Sequence, residues 1–331
     1  MLNRYKKLSI AVLLVVLLSV TGGVLWFYTQ TGEAHGPQQA VEIMIPKGAN
    51  STKITHMLAQ HDVIVSELAF RLKLRMDGNG GRLRSGLYRF EQAATMAQVI
   101  GRLARGDVMQ FKVTVPEGLR TDEVLHLLAE KTGTHEKDWQ TAIKKLFPAD
   151  AEGRLLPETY QYTKPVRMQQ MLKSMADAQQ KILAELSEYA PVQNKYRIMA
   201  SIIEKETMIA KERPFVAAVI RNRLQKGMPL QMDPTVIYGI WRTKGQFSGN
   251  IHKKDLRTDT PWSTYTRKGL PPTPICNPGA ASLRAAAAPA NVPFLYFVAD
   301  GSGGHQFAAT LADHQANVAR WVEMDRKRQH K

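Results

Sequence analysis

The stretch from Tyr196 to Arg213 reads YRIMASIIEKETMIAKER and holds the side chain best suited to chemistry. Met199, Ile202, Ile203, Ile209 and Ala210 recur with the period of one helix face. Glu206 takes the i+7 place in that stripe, where an apolar residue belongs. A carboxyl on the apolar side of a helix is desolvated, which favours its neutral form and raises its pKa. Such a group keeps a proton to deliver near neutral pH, as a general acid must. The same spacing also suits a structural carboxylate paired with an arginine. Glu204 projects to another side of the helix and is expected to be the more solvated of the two.

Downstream of Gly227 the chain becomes dense in polar and aromatic groups held between Pro and Gly. Gln231-Met232-Asp233-Pro234-Thr235-Val236-Ile237-Tyr238-Gly239 comes first, then Ser263-Thr264-Tyr265-Thr266, Gly269-Leu270-Pro271-Pro272 and Asn277-Pro278-Gly279. Amide, hydroxyl and phenol groups on rigid turns are what a sugar-binding cleft requires, because hydroxyls need directed partners and pyranose faces pack on aromatics. Gln231, Tyr238 and Tyr265 are therefore expected to line one groove with Glu206. Plain connectors share this composition, and Tyr238, in the run Val236-Ile237-Tyr238, equally suits a core. Asp233 is the candidate second carboxylate for a hydrolase, although Asp-Pro is also a common turn or cap pair. His305 and His314 lack an HExxH or Cys/His framework, so no metal site is expected. The single cysteine, Cys276, allows no internal disulfide and stands without a His/Asn signal for thiol chemistry.

These groups must be positioned by elements outside the cytoplasm. Arg4, Lys6 and Lys7 precede a charge-free run from Leu8 to Tyr28 that ends in Trp26-Phe27-Tyr28. Its length suits a bilayer, its end suits the interface, and the following residues to Ala40 contain no Lys or Arg. The pattern predicts an uncleaved anchor with the N-terminus inside. The net charge of +16 favours an anionic partner. Export, and the lack of a basic helix interleaved with stacking aromatics, argue against nucleic acid. An internal echo follows: Ile45-Pro46-Lys47-Gly48 before Met57-Leu58-Ala59, and Val115-Pro116-Glu117-Gly118 before Leu127-Leu128-Ala129. Each copy reads as strand, turn and amphipathic helix, and each later reaches a Tyr-containing strand. Asp77 to Gly81 reads as a loop within the first copy. A helix from Met168 to Tyr189 leads to the Glu206 helix, which should stop before Pro214. A further helix spans Phe215 to Lys226, with Gly227 as its stop.

Taken together, Ala200 to Thr207, Asn222-Arg223-Leu224, Gln231, Asp233 to Tyr238, Thr264 to Thr266, Gly269 to Pro272, Asn277 to Gly279 and the Leu295 to Asp300 strand with Gly303-Gly304-His305 resemble the endolytic murein transglycosylase (YceG-like) family. The resemblance covers roughly residues 40 to 325. It implies a membrane-anchored lytic transglycosylase that cuts the MurNAc–GlcNAc bond inside peptidoglycan strands without water. The products are 1,6-anhydro ends, and cleavage limits nascent strand length. It implies Glu206 as the catalytic acid, because lytic transglycosylases use a Glu followed by a small residue and Thr207 follows here; Glu204 is the alternative. Asn222, Gln231, Asp233, Tyr238 and Tyr265 fall in its motifs as substrate-binding candidates. No cofactor or metal is implied, and cell-wall synthases are candidate partners. Trp262-Ser263 and Gln315 depart from its usual pattern, where Asn is common after the aromatic and after His314. The expected fold is α+β throughout. A cytoplasmic tail (1–7), transmembrane helix (8–28) and tether (29–40) precede a LysM-like module (41–111), a second related α+β subdomain (112–165) and an α+β catalytic domain (166–331). The expected location is the inner membrane, with the catalytic domain periplasmic. The competing readings are a non-catalytic peptidoglycan-binding protein and a lysozyme-like hydrolase.

Overall fold

The computed structural model describes residues 2–78, 82–247 and 249–329. Asn79 to Gly81, expected within a loop, lie outside the described residues. The chain divides into two compact units, one of residues 1–111 with 161–167 and the other of 112–160 with 168–331.

The first unit begins with α1 (Leu2–Gly32), whose segment Tyr5–Gly32 is long and apolar enough to cross a membrane. The expected tether is shorter than residues 29–40. Helix α1 runs on to Gly32, and His35 then forms a bridge with Ala94. Strand β1 (Val41–Ile45), α2 (Ser51–Gln60), α3 (Glu67–Met76), β2 (Gly86–Phe90) and α4 (Met96–Arg105) follow. β1 and β2 pair antiparallel, with Ile43 opposite Tyr88 and Val41 opposite Phe90. Alternation sends Ile43, Ile45, Tyr88 and Phe90 to one face, where they meet Leu58, Phe70, Val99 and Leu103 in a common core. The helices start on side-chain caps: Asn50 for α2, Ser66 for α3, and a Thr95/Gln98 capping box for α4.

The second copy of the echo is β3 (Phe111–Thr114), α5 (Thr121–Thr132), α6 (Glu136–Leu146) and β4 (Thr159–Tyr162), with β3 paired to β4. Its strand-helix-helix-strand order matches β1-α2-α3-β2. The turn glycines of both copies, Gly48 and Gly118, take nearly the same left-handed conformation, with φ of 80° and 78°. Each turn therefore favours glycine at that place.

In the second unit α7 (Met168–Leu186), α8 (Ala190–Glu206), α9 (Arg213–Gln225), α10 (Asp233–Lys244), the short α11 (Lys253–Leu256) and α12 (Ala280–Ala287) are followed by a hairpin and a final helix. The hairpin pairs β5 (Tyr296–Ala299) with β6 (His305–Ala308), and α13 (Leu311–Gln329) closes the chain. The C-terminal half of α8 is enclosed: Met199, Ala200, Ile202 and Ile203 share a core with Val216, Ala217, Val219 and Ile220 of α9 and Leu283 of α12. These two helices are the rigid base on which the candidate site is built.

Candidate active site

Helix α8 ends earlier than its apolar period suggests. Glu206 is its last residue, and Thr207 turns to extended backbone at φ −144° and ψ 134°. Ile209 and Ala210 therefore do not continue a helical stripe; both are exposed. The stop is fixed by side chains. The Thr207 hydroxyl donates to Glu212 Oε2 at 3.0 Å and accepts from the Ile209 N–H at 3.1 Å. Glu212 in turn accepts from the His305 N–H at 2.8 Å and lies 2.7 Å from His305 Nδ1. The β5–β6 hairpin thus anchors the segment that follows Glu206.

The Glu206 carboxyl faces a cavity of about 210 Å³ lined by Glu206, Arg223, Leu230, Gln231, Met232, Asp233, Tyr265 and Phe297. Burial pushes its pKa up to about 8, and the neighbouring Asp233 carboxyl adds to the rise. Its place at the C-terminus of a helix acts in the same sense, since the helix dipole there disfavours an anion. Among the described residues no hydrogen bond to the carboxyl opposes these effects. The group therefore carries a proton at neutral pH.

Asp233 opens α10, where the helix dipole favours negative charge. It accepts a short 2.5 Å bond from the Tyr265 hydroxyl. Burial raises the pKa of that phenol, and the bond to Asp233 raises it further, so Tyr265 stays a donor. Gln231 has left-handed backbone at φ 52°, a conformation costly for a residue with a side chain and common at functional sites. The loop is held there from two sides. The Gln231 N–H donates to the Thr264 carbonyl at 3.0 Å, and the Met232 N–H to the Thr264 hydroxyl at 2.9 Å. Arg223, only 7% exposed, donates to the carbonyls of Leu295 at 2.6 Å and Leu230 at 2.8 Å, and to the Gln231 side chain at 3.3 Å.

The cavity thus brings together Glu206, Gln231, Asp233 and Tyr265. It does not include Tyr238 or Asn222. The Tyr238 hydroxyl is turned to Glu152, to which it donates at 3.1 Å, and its ring packs between Trp241 and Trp262. Glu152 is itself buried, with its pKa pushed up to about 7 by desolvation. Asn222 is spent on the backbone, donating to the carbonyls of Val292 and Phe294 at 2.8 and 2.9 Å. Both residues serve the fold around the site, because their polar atoms are already satisfied by protein.

Glu204 is not the solvated carboxylate that helix geometry suggests. Its side chain is 6% exposed, accepts from the Gly279 N–H at 2.9 Å and pairs with Arg213 at 3.4 Å. The Asn277-Pro278-Gly279 turn is a latch of the same kind. Asn277 accepts from the Leu155 N–H and donates to the Leu119 carbonyl, and a Cβ on Gly279 would collide with Glu117. Cys276 is buried, and desolvation pushes its thiol up. His314 stacks on Tyr296 with ring centroids 5.1 Å apart. Two lining residues, Arg223 and Phe297, do not stand out in the site reading of the sequence. Arg223 carried a usable signal: it falls at i+7 from Val216 and i+3 from Ile220, a charge on an apolar stripe like Glu206.

Comparison with known proteins places the chain. The model of the YceG-like family matches residues 43–320. The chain is 31% identical over 310 residues to an endolytic murein transglycosylase of Bacillus subtilis, covering 85% of each protein. It is 24% identical to an endolytic murein transglycosylase of Streptococcus pneumoniae, over 85% of this chain and 58% of that protein. A crystal structure of a YceG-like protein from Listeria monocytogenes superposes with a TM-score of 0.54 at 28% identity, covering 84% of this chain and 99% of the other. With the match running through both units and across every segment that lines the Glu206 cavity, this chain belongs to the YceG-like family.

Proposed function

We propose that the protein is a peptidoglycan lytic transglycosylase, anchored by α1 with its N-terminus in the cytoplasm, that cuts glycan strands internally between N-acetylmuramic acid and N-acetylglucosamine. The observation that carries this reading is one proton-bearing carboxyl, Glu206, facing a polar cavity beside a second carboxyl that a tyrosine occupies. Neutral Glu206 protonates the glycosidic oxygen as the C1–O bond breaks and positive charge develops at C1. The carboxylate so formed then takes the proton of the muramic C6 hydroxyl, whose oxygen closes on C1. The acid is regenerated, no water is consumed, and the product end is the 1,6-anhydro sugar. Asp233 favours the developing positive charge electrostatically. Gln231 and Arg223 shape the wall on which the sugar is oriented. The first unit, with its strand-helix-helix-strand core, supports a LysM-like glycan-holding module over residues 41–111.

A lysozyme-like hydrolase is the second reading, because two carboxyls share the cavity. The short bond from Tyr265 engages one oxygen of Asp233 and leaves the other able to accept, so the products decide between the two readings. Digestion of purified glycan strands followed by mass spectrometry separates the two. Anhydro ends, one water lighter than hydrolysis products, are expected. Products that have gained water would replace this proposal with the hydrolase, and strands that stay intact would leave only a binding role.

A further inference from the structure

Helix α3 buries Ala69, Phe70 and Leu74 in the first unit's core. On its other side Leu68, Leu72 and Met76 are 53%, 40% and 72% exposed. Side chains four apart are neighbours on a helix, so these three form one stripe. Val65, just before the helix, is exposed as well. At about 100° per residue, Arg71 and Arg75 run along one edge of the stripe, and both are exposed. The acidic residues at the ends of the helix have partners: Glu67 lies 2.9 Å from His56 Nδ1, and Asp77 accepts from Lys73 at 2.9 Å. Single exposed leucines are ordinary on a soluble surface, but a row of them bordered by arginines marks an interaction face.

The place of α3 in the unit indicates what covers that face. Helix α1 packs against α3 and α4. Within α1, Phe27 packs on the first unit's core and Thr31 is buried, whereas Leu8 to Leu18 are exposed at every large apolar residue. Phe27 belongs to the aromatic end of the candidate span, the part that sits among lipid headgroups. The His35–Ala94 bridge and the seating of Gly36 against Ala93 leave little free chain to lift the unit away from that level. An amphipathic helix docked at the interface end of a membrane span, apolar on one stripe and cationic along its edge, matches a bilayer surface in both polarity and charge.

We propose that α3 lies in the bilayer interface, with Leu68, Leu72 and Met76 reaching the acyl boundary and Arg71 and Arg75 meeting lipid phosphates. The proposal rests on the reading of α1 as a membrane anchor. Its test uses the full-length chain in vesicles of phosphatidylcholine and phosphatidylglycerol. Leu68→Cys, Leu72→Cys and Met76→Cys each receive a fluorophore under native conditions, which leave the buried Cys276 unlabelled. Leu14→Cys in α1 and Lys137→Cys in α6 serve as lipid and water references. The three α3 labels are expected to be quenched several-fold more by acyl-chain nitroxide lipids than the Lys137 label, and to be shielded from aqueous iodide. If the Leu14 label is lipid-quenched while the α3 labels behave like the Lys137 label, the interfacial helix is refuted and the anchor stands. Labels protected from both quenchers would mean that protein covers the stripe, and would equally overturn the proposal. A Leu14 label untouched by lipid would remove the anchor and this inference together.

Discussion

Replacing Glu206 by Gln should cut glycan cleavage by orders of magnitude and, unusually for a catalytic substitution, stabilise the fold more as pH rises. The native carboxyl titrates near 8 against an ordinary value of 4.5. Between those values the folded protein holds a proton that the unfolded chain has released, so folding stability falls as pH rises through this window and levels off above it. At about 1.36 kcal/mol per unit, the cost is about 3 kcal/mol at pH 7 and about 5 kcal/mol above pH 8. Gln is neutral in both states and escapes it. The new amide brings a donor into the cavity, which costs about 1–3 kcal/mol if unmet. The diagnostic is therefore the growth of the difference with pH rather than its absolute size. For a domain of this size each kcal/mol is worth about 2–4 °C in Tm. Thermal unfolding of both proteins at pH 5, 7 and 9 should show the Gln variant gaining roughly 5–10 °C relative to wild type by pH 7, measured from its pH 5 offset, because about 2.5 kcal/mol of the cost develops between those two values. Strand cleavage should fall by about 10²–10⁴-fold. A stability difference flat across that range, or near-full turnover in the variant, would refute the buried-acid assignment.

Cleavage by the wild-type enzyme should decline on the alkaline side with an apparent pKa near 8, as the Glu206 proton is lost; kcat/KM measured from pH 6 to 10 checks this. Tyr265→Phe frees Asp233 from its 2.5 Å partner; the fold should lose about 1.5–3 kcal/mol with that bond, and kcat per folded molecule should also fall, by at least about tenfold, because Asp233 lines the cavity. Tyr238→Phe should do the reverse, lowering stability by about 1 kcal/mol while leaving kcat per folded molecule unchanged, because its hydroxyl serves Glu152. A tenfold kcat defect in that variant would return Tyr238 to the site. Glu204→Gln takes from Arg213 the more buried of its two carboxylate partners and leaves Glu117 at 3.4 Å, so it should cost about 1–3 kcal/mol in denaturant unfolding, while the fraction that folds still cleaves strands.

The sequence revealed Glu206 through a charge where helix periodicity calls for an apolar residue, but part of that period was accidental. Ile209 and Ala210 extend the repeat in one dimension, yet α8 has already ended, because Thr207 finds Glu212, which is itself held by His305, and periodicity carries no trace of a residue 93 positions beyond Glu212. The echo of Pro-x-Gly turns was legible for the opposite reason: the left-handed backbone at Gly48 and Gly118 is a local demand that only the local residue can meet. Tyr238 and Tyr265 show where local reading stops. Both sit in motifs bounded by Pro and Gly, and both donate to a carboxylate. One carboxylate is Asp233, which opens onto the cavity; the other is Glu152, buried 86 residues earlier in the chain. Nothing near either tyrosine encodes which carboxylate it will meet. The same holds for Asn277 and Gly279, whose motif resembles a ligand loop and works as a latch on Leu155, Leu119 and Glu204. A family motif is therefore dense around this cavity for two physical reasons. Some of its residues face the cavity, and others hold two distant segments together so that those residues can. Only their partners, which lie far apart in the chain, separate the two groups.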